Sequence, residues 1–218
     1  MVKKNGLSNR RGNQFTLTAA RGRAATKRRR ADLPDDVIDP AHLVALVNEA
    51  AERLDVEVQN KILGCGSNGC VVPLKKGHFV LKISSSGAER RVLEAVRDID
   101  SFEGFALIVA GPLPLRSDPT FFAYVRESVT PYVSPGVNYE LGGSFLAEAS
   151  DSADNGDAEG YVAALDAFEP PYLEIAVTMR RLYEEACVPI FDANLQNMGW
   201  RSDGTLVLYD AEAADWFC

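Results

Sequence analysis

Residues 191–212 read Phe-Asp-Ala-Asn-Leu-Gln-Asn-Met-Gly-Trp-Arg-Ser-Asp-Gly-Thr-Leu-Val-Leu-Tyr-Asp-Ala-Glu, and they constrain the chain more than any other stretch. Asp192 and Asn197 stand five apart on a loop that follows an amphipathic helical pattern. Arg201-Ser-Asp-Gly204 then turns the chain, and 205–209 reads as a strand delivering Asp210. Two carboxylates and one amide, oxygen donors suited to a hard cation such as Mg²⁺, are thereby placed on one loop and one strand end.

In this stretch the chain resembles the protein-kinase-like superfamily. The catalytic loop of that family runs His-Arg-Asp with an Asn five residues after the Asp; a short hairpin then leads to Asp-Phe-Gly. Asp192, Asn197 and Asp210 fall on the three essential positions. Upstream, Gly64-Cys-Gly66-Ser-Asn-Gly69-Cys-Val71 is a glycine-rich run. A dinucleotide-binding reading requires such glycines to open a helix, but Pro73 and Gly77 follow and no helical period appears for nearly twenty residues. The context fits a hairpin whose backbone N–H groups approach a triphosphate. The next strand, 79–83, carries Lys82 between apolar residues, where an ammonium without an anionic partner is costly to bury.

The resemblance implies an α+β, protein-kinase-like fold: a five-stranded antiparallel N-lobe with a helix C, and a truncated, mostly helical C-lobe. It implies ATP and Mg²⁺ as cofactors. Gly64, Gly66, Ser67, Gly69 and Val71 would line the nucleotide, and Lys82 would hold its α/β-phosphates. Glu89, with Glu94 as the alternative, would pair with Lys82. Glu127 would open the hinge that meets the base, Asp192 would orient the acceptor hydroxyl and take its proton, and Asn197 and Asp210 would hold the metal. Glu89 has a second reading, because Ser86 and Glu89 also make a Ser-x-x-Glu capping box at the start of the helix over 86–97.

The sequence departs from the family pattern at several places. Ile190 and Phe191 replace the His and Arg, Asn194 stands where a lysine is frequent, and Asp210-Ala211-Glu212 replaces Asp-Phe-Gly. Only residues 211–218 follow Asp210, so the peptide-docking helices of a protein kinase are expected to be missing.

The remaining organisation follows from pattern and charge. Ten of the 23 Lys/Arg lie in residues 1–30, which hold no acid, leaving 13 basic against 31 acidic residues, a net −18, on the rest. Residues 1–38 therefore read as a basic flexible arm, with residues 3–30 a candidate for nucleic-acid or acidic-partner binding. Asp39-Pro40 starts a helix within 39–55, with Leu43, Leu46, Val47, Ala50 and Leu54 on one face. Residues 56–130 form the N-lobe, with strands over 56–63, 71–74, 79–83, 106–110 and 121–126. Residues 131–218 form the C-lobe, with a polar linker over 150–160 inside a region that lacks Lys and Arg from 127 to 179. A helix beginning after Pro170-Pro171 carries Ile175, Met179, Leu182 and Ala186 as a core stripe.

The longest apolar stretch, 105–115, is too short to cross a membrane and contains two prolines. An intracellular protein is expected, cytoplasmic or virion-borne. Cys65, Cys70, Cys187 and Cys218 are too sparse for a disulfide scaffold, and free thiols are the expectation. Two functional readings follow. One is an ATP-dependent phosphotransferase acting on a protein hydroxyl (Ser/Thr) or on itself. The other is a pseudokinase or structural module, virus-encoded or virion-associated, working through its basic arm.

Overall fold

The computed structural model describes residues 14–16, 38–66, 68–99, 103–132 and 139–215. The basic arm lies outside the described residues apart from 14–16 and Ile38.

Helix α1 (Pro40–Arg53) starts where Asp39 accepts hydrogen bonds from the N–H groups of Ala41 and His42, each 3.0 Å, with Pro40 in the first turn. Its apolar stripe of Leu43, Leu46, Val47 and Ala50 is buried against a five-stranded sheet. The strands are β1 (Gly64–Gly66), β2 (Gly69–Pro73), β3 (Phe79–Ser84), β4 (Ile108–Pro114) and β5 (Phe122–Glu127), in the order β1-β2-β3-β5-β4 with every pairing antiparallel. Helix α2 (Gly87–Asp98) connects β3 to β4.

The period of two along the strands divides the molecule. Leu81 and Ile83 of β3, Ala123 and Val125 of β5, and Cys70 and Val72 of β2 share a core with α1. Phe122 and Tyr124 face the other way, into a second core with Val92 and Leu93 of α2. That second core continues through the helical half of the chain, so one apolar mass joins both halves. At about 1.5–3 kcal/mol for each fully buried Leu, Ile, Val or Met side chain, this continuity is the main cohesion between them.

The helical half contains α3 (Tyr139–Asn155), α4 (Ala158–Asp166) and α5 (Leu173–Ala186), beside a small sheet of β6 (Thr130–Pro131), β7 (Met198–Trp200) and β8 (Leu206–Leu208). Ile175, Met179 and Leu182 of α5 are buried, whereas Ala186 of the expected stripe is exposed. Arg201, just past β7, fastens the halves: its guanidinium donates to the Glu127 carboxylate and to the carbonyls of Glu103 and Phe105, each at 2.8 Å.

Two expectations from sequence fail here. Residues 56–63 are not a strand: Val58 bridges Leu74, but a local turn in which Lys61 N–H donates to the Gln59 carbonyl breaks the ladder, and pairing resumes at Gly64. Residues 150–160 are not a linker. They are the end of α3, a turn at Gly156 (φ 70°) and the start of α4, which Asp157 caps by accepting from Gly160 N–H at 2.9 Å. Their polar residues line helices whose buried faces include Leu146, Ala149, Ala153, Ala164 and Leu165. Among the described residues no helix is long and apolar enough to cross a membrane.

Candidate active site

Because Leu81 and Ile83 face α1, the pleat turns Lys82 to the opposite side, toward the helical half. Lys82 is 5% exposed, so its ammonium needs anions, and it has two. Nζ lies 2.6 Å from Glu89 Oε1 and 2.7 Å from both oxygens of Asp210. Glu89 is in the first turn of α2, whose N-cap is Ser86: the Ser86 hydroxyl accepts from Glu89 N–H at 3.1 Å. The Glu89 carboxylate does not return to Ser86 to close a capping box. It accepts instead from Lys82, from the Tyr124 hydroxyl at 2.5 Å and from the Ser84 hydroxyl. Burial pushes the Glu89 carboxyl above its ordinary range, against the opposing charge of Lys82. Burial, with Glu89 adding to it, likewise pushes the Tyr124 phenol up, so it stays protonated as a donor.

The opposite wall comes from the segment after α5. Asn194 caps a 3₁₀ turn, Leu195–Asn197, by accepting from Gln196 N–H at 2.9 Å. This turn folds two amides onto Asp192: Asn194 Nδ2 donates to one carboxylate oxygen at 2.6 Å, and Asn197 Nδ2 donates to the other at 2.8 Å and to the Asp192 carbonyl at 2.8 Å. Desolvation raises the Asp192 carboxyl above the usual aspartate range; these amides work against the rise, and the charges of Glu212 and Asp210 add to it. The hairpin β7–β8 carries the chain back, and Tyr209 N–H donates to the Asn197 carbonyl at 2.8 Å, which fixes Asp210 beside the loop.

The roof is the β1–β2 hairpin, in register as Gly64↔Val71, Cys65↔Cys70 and Gly66↔Gly69. Ser67, at its tip, lies outside the described residues. Gly69 is required by packing, since a Cβ there would meet the Ile83 carbonyl oxygen at 2.0 Å. Gly64 and Gly66 differ: nothing among the described residues lies within 4 Å of the place a Cβ would take. Half-buried Val71 is the register partner of Lys82. Cys65 and Cys70 are joined in a disulfide across the hairpin, and Cys187 is disulfide-bonded as well, which corrects the expectation of free thiols; the cross-strand register puts Cys65 opposite Cys70, with Cα atoms 4.1 Å apart.

Several contributors carried no signal in the sequence reading. Glu212, in place of a glycine, accepts from the Asn68 side chain at the hairpin tip and from the Ser86 hydroxyl, both at 2.7 Å, and so ties roof, α2 and metal-type hairpin together. Arg126 is buried with its guanidinium 4.7 Å above the Tyr209 ring; it donates to the Glu127 carbonyl at 3.0 Å, and its Nε has no hydrogen-bond partner among the described residues. Tyr124, Lys82 and Arg126 belong to one alternating face of β3 and β5, a pattern that exists in the sequence but does not by itself announce a site. Glu127 is the last residue of β5. Its carboxylate is taken by Arg201 and by Leu107 N–H at 2.7 Å, and its own N–H donates to the Leu107 carbonyl.

A hollow of about 480 Å³ between the end of α2 and β4, lined by residues including Val96, Ile99, Leu107 and Val109, contains none of these groups. No three His, Cys, Asp or Glu side chains converge as a metal cluster among the described residues.

No protein-family model matches the chain, and no curated protein does. Among solved structures, an aminoglycoside phosphotransferase from Alicyclobacillus acidocaldarius subsp. acidocaldarius is similar at 17% identity and a TM-score of 0.38. The match covers 78% of this chain and 66% of that one, so the chain spans just under two thirds of that protein's length. The architecture read from the chain itself is mixed α+β: a five-stranded antiparallel sheet with α2 between β3 and β4, the Lys82–Glu89 pair, and the Asp192 loop beside the Asp210 hairpin.

Proposed function

We propose that the chain is a phosphotransferase that uses a Mg-bound nucleoside triphosphate, ATP as the reference donor, and passes its terminal phosphoryl group to a protein hydroxyl, its own included. The observation that carries this reading is the Lys82 ammonium held between Glu89 and both oxygens of Asp210 across from the Asp192–Asn197 loop. Phosphoryl transfer asks for little covalent chemistry and much positioned charge, and these residues set a fixed cation beside a partly exposed carboxylate and a second carboxylate aimed by two amides.

The residues present fit the donor. The space beside Gly64 and Gly66 admits close approach of phosphates to the hairpin backbone. Asp210, one third exposed, and the amide oxygen of Asn197, whose nitrogen is committed to Asp192, are the groups that would hold the metal, with phosphate oxygens completing its shell. When bound, the Mg·nucleotide supplies the activated phosphoryl group. The work of the chain is then divided. Lys82 neutralises phosphate charge and Glu89 keeps Lys82 in place. Asp192 orients an acceptor O–H and takes its proton, a role its raised affinity for protons favours.

The test separates binding from chemistry. Thermal shift with Mg·ATP and labelled-phosphate transfer are measured on wild type, Asp210→Asn and Asp192→Asn. Asp210→Asn is expected to lose transfer and most Mg-dependent binding, whereas Asp192→Asn keeps binding while turnover falls about 10²- to 10⁴-fold. Wild type that binds Mg·ATP without transferring to itself, to proteins or to water makes the module a pseudokinase. Wild type that binds no nucleotide refutes the reading.

A further inference from the structure

Residues 14–16 dock on the far side of the molecule from the cleft, in the core between α1 and the sheet. Phe15 is 1% exposed and shares that core with Leu43, Leu46, Val47 and Ala50 of α1. Its backbone is held as firmly as its ring. Phe15 N–H donates to Asn48 Oδ1 at 2.7 Å, Asn48 Nδ2 donates to the Phe15 carbonyl at 3.2 Å, and Thr16 N–H donates to Asn60 Oδ1 at 3.3 Å. A single side-chain amide on α1 therefore satisfies both main-chain groups of one residue, as a neighbouring strand would, while a pocket takes the aromatic ring.

This combination of a deep apolar anchor and side-chain amides reading backbone is how a protein recognises an extended peptide. It is also remote in sequence: Asn48 is 33 residues from Phe15 and Asn60 is 44 residues from Thr16, so no local turn imposes the contact. We propose that the surface formed by α1, Asn48 and Asn60 is a docking site for a short extended segment with a phenylalanine anchor, and that this chain fills it in cis with Gln14-Phe15-Thr16. The inference stands independently of the phosphotransferase reading. It gives the basic residues a fixed point, with Lys3, Lys4, Arg10 and Arg11 before the anchor and Arg21, Arg23, Lys27, Arg28, Arg29 and Arg30 after it.

The test uses the full chain. Phe15→Ala removes the cis anchor, and a fluorescent peptide of residues 9–21 is titrated into it by anisotropy. Saturable binding is expected, weaker by on the order of 100-fold for the same peptide carrying Phe15→Ala, which has identical charge. Adding Asn48→Ala to the Phe15→Ala chain lowers affinity roughly tenfold, and wild type, already filled, takes up far less peptide. Equal affinity for both peptides overturns the proposal and leaves Phe15 an ordinary core residue. Should Phe15→Ala not fold, hydrogen exchange decides on the native protein: Phe15 and Thr16 amides are protected in wild type and exchange faster in Asn48→Ala, whereas unprotected amides in wild type overturn the docking site.

Discussion

The Asp192 carboxyl holds its proton to a higher pH than an ordinary aspartate because half-burial strips water from its charge and two further carboxylates, Glu212 and Asp210, lie near it. If Asp192 accepts the proton of the attacking hydroxyl, turnover requires it deprotonated. The acid limb of the turnover profile then lies above the usual aspartate range. Replacing Glu212 by Gln removes one repelling charge, so the protonated form of Asp192 loses that advantage and the limb moves to lower pH. A pH profile of turnover at saturating nucleotide checks this; a limb that stays in place or moves up contradicts it. The residue scale also shows what sequence could reveal. Asp192, Asn197, Asp210 and Lys82 were legible because their spacing and order are specific. Glu212 was not, since it registers in the sequence only as a missing glycine, and its ties to Asn68 and Ser86 span 144 and 126 residues.

Elements are governed by how their ends and edges are satisfied. Glu49 on α1 reaches across to the turn between β4 and β5, where the Arg116 and Ser117 N–H groups and the Ser117 hydroxyl donate to its carboxylate, with Arg53 one turn further along the helix. Burial pushes its carboxyl up, but these donors outweigh that and hold it at about 2 instead of 4.5. A carboxyl with a depressed folded-state pKa adds stability above its unfolded value and loses it as pH falls, here between about 4.5 and about 2. Glu49→Gln is therefore expected to lower the melting temperature by roughly 4 °C at pH 7, the gap from wild type closing across that acid window. A constant gap down to pH 2 would assign the loss to packing. The same scale explains two misreadings. The helices α3 and α4 escaped notice because half of their described buried residues are alanine (Ala149, Ala153, Ala164), which gives a faint apolar period under a conspicuous acidic surface. The strand expected at 56–63 failed because β-branched residues advertise strand, but a local hydrogen bond at Gln59 and Lys61 interrupts pairing.

At the scale of the whole molecule, cohesion between the halves combines the shared core with several polar ties, of which Arg201 makes three at once. The packing stripe of α1 and, Ala186 apart, that of α5 were legible from their helical period, whereas the Arg201 fastening was not, because Arg201 meets partners 74 to 98 residues away. Arg201 and Glu127 are both about one-fifth exposed, so water screens their charges only partly. Removing the guanidinium strands the Glu127 carboxylate and leaves two carbonyls without their donor. Arg201→Ala is accordingly expected to destabilise by about 2–4 kcal/mol in urea unfolding, with the slope on denaturant unchanged. Arg201→Lys should recover little, since a single ammonium cannot reproduce three donors fixed in a plane. Glu127→Gln keeps an acceptor for Arg201 and Leu107 and is expected to cost less than Arg201→Ala. The double variant then costs less than the sum of the two, because the stranded charge has gone. Strict additivity would mean that the Arg201–Glu127 pair contributes no coupling to the cohesion of the halves.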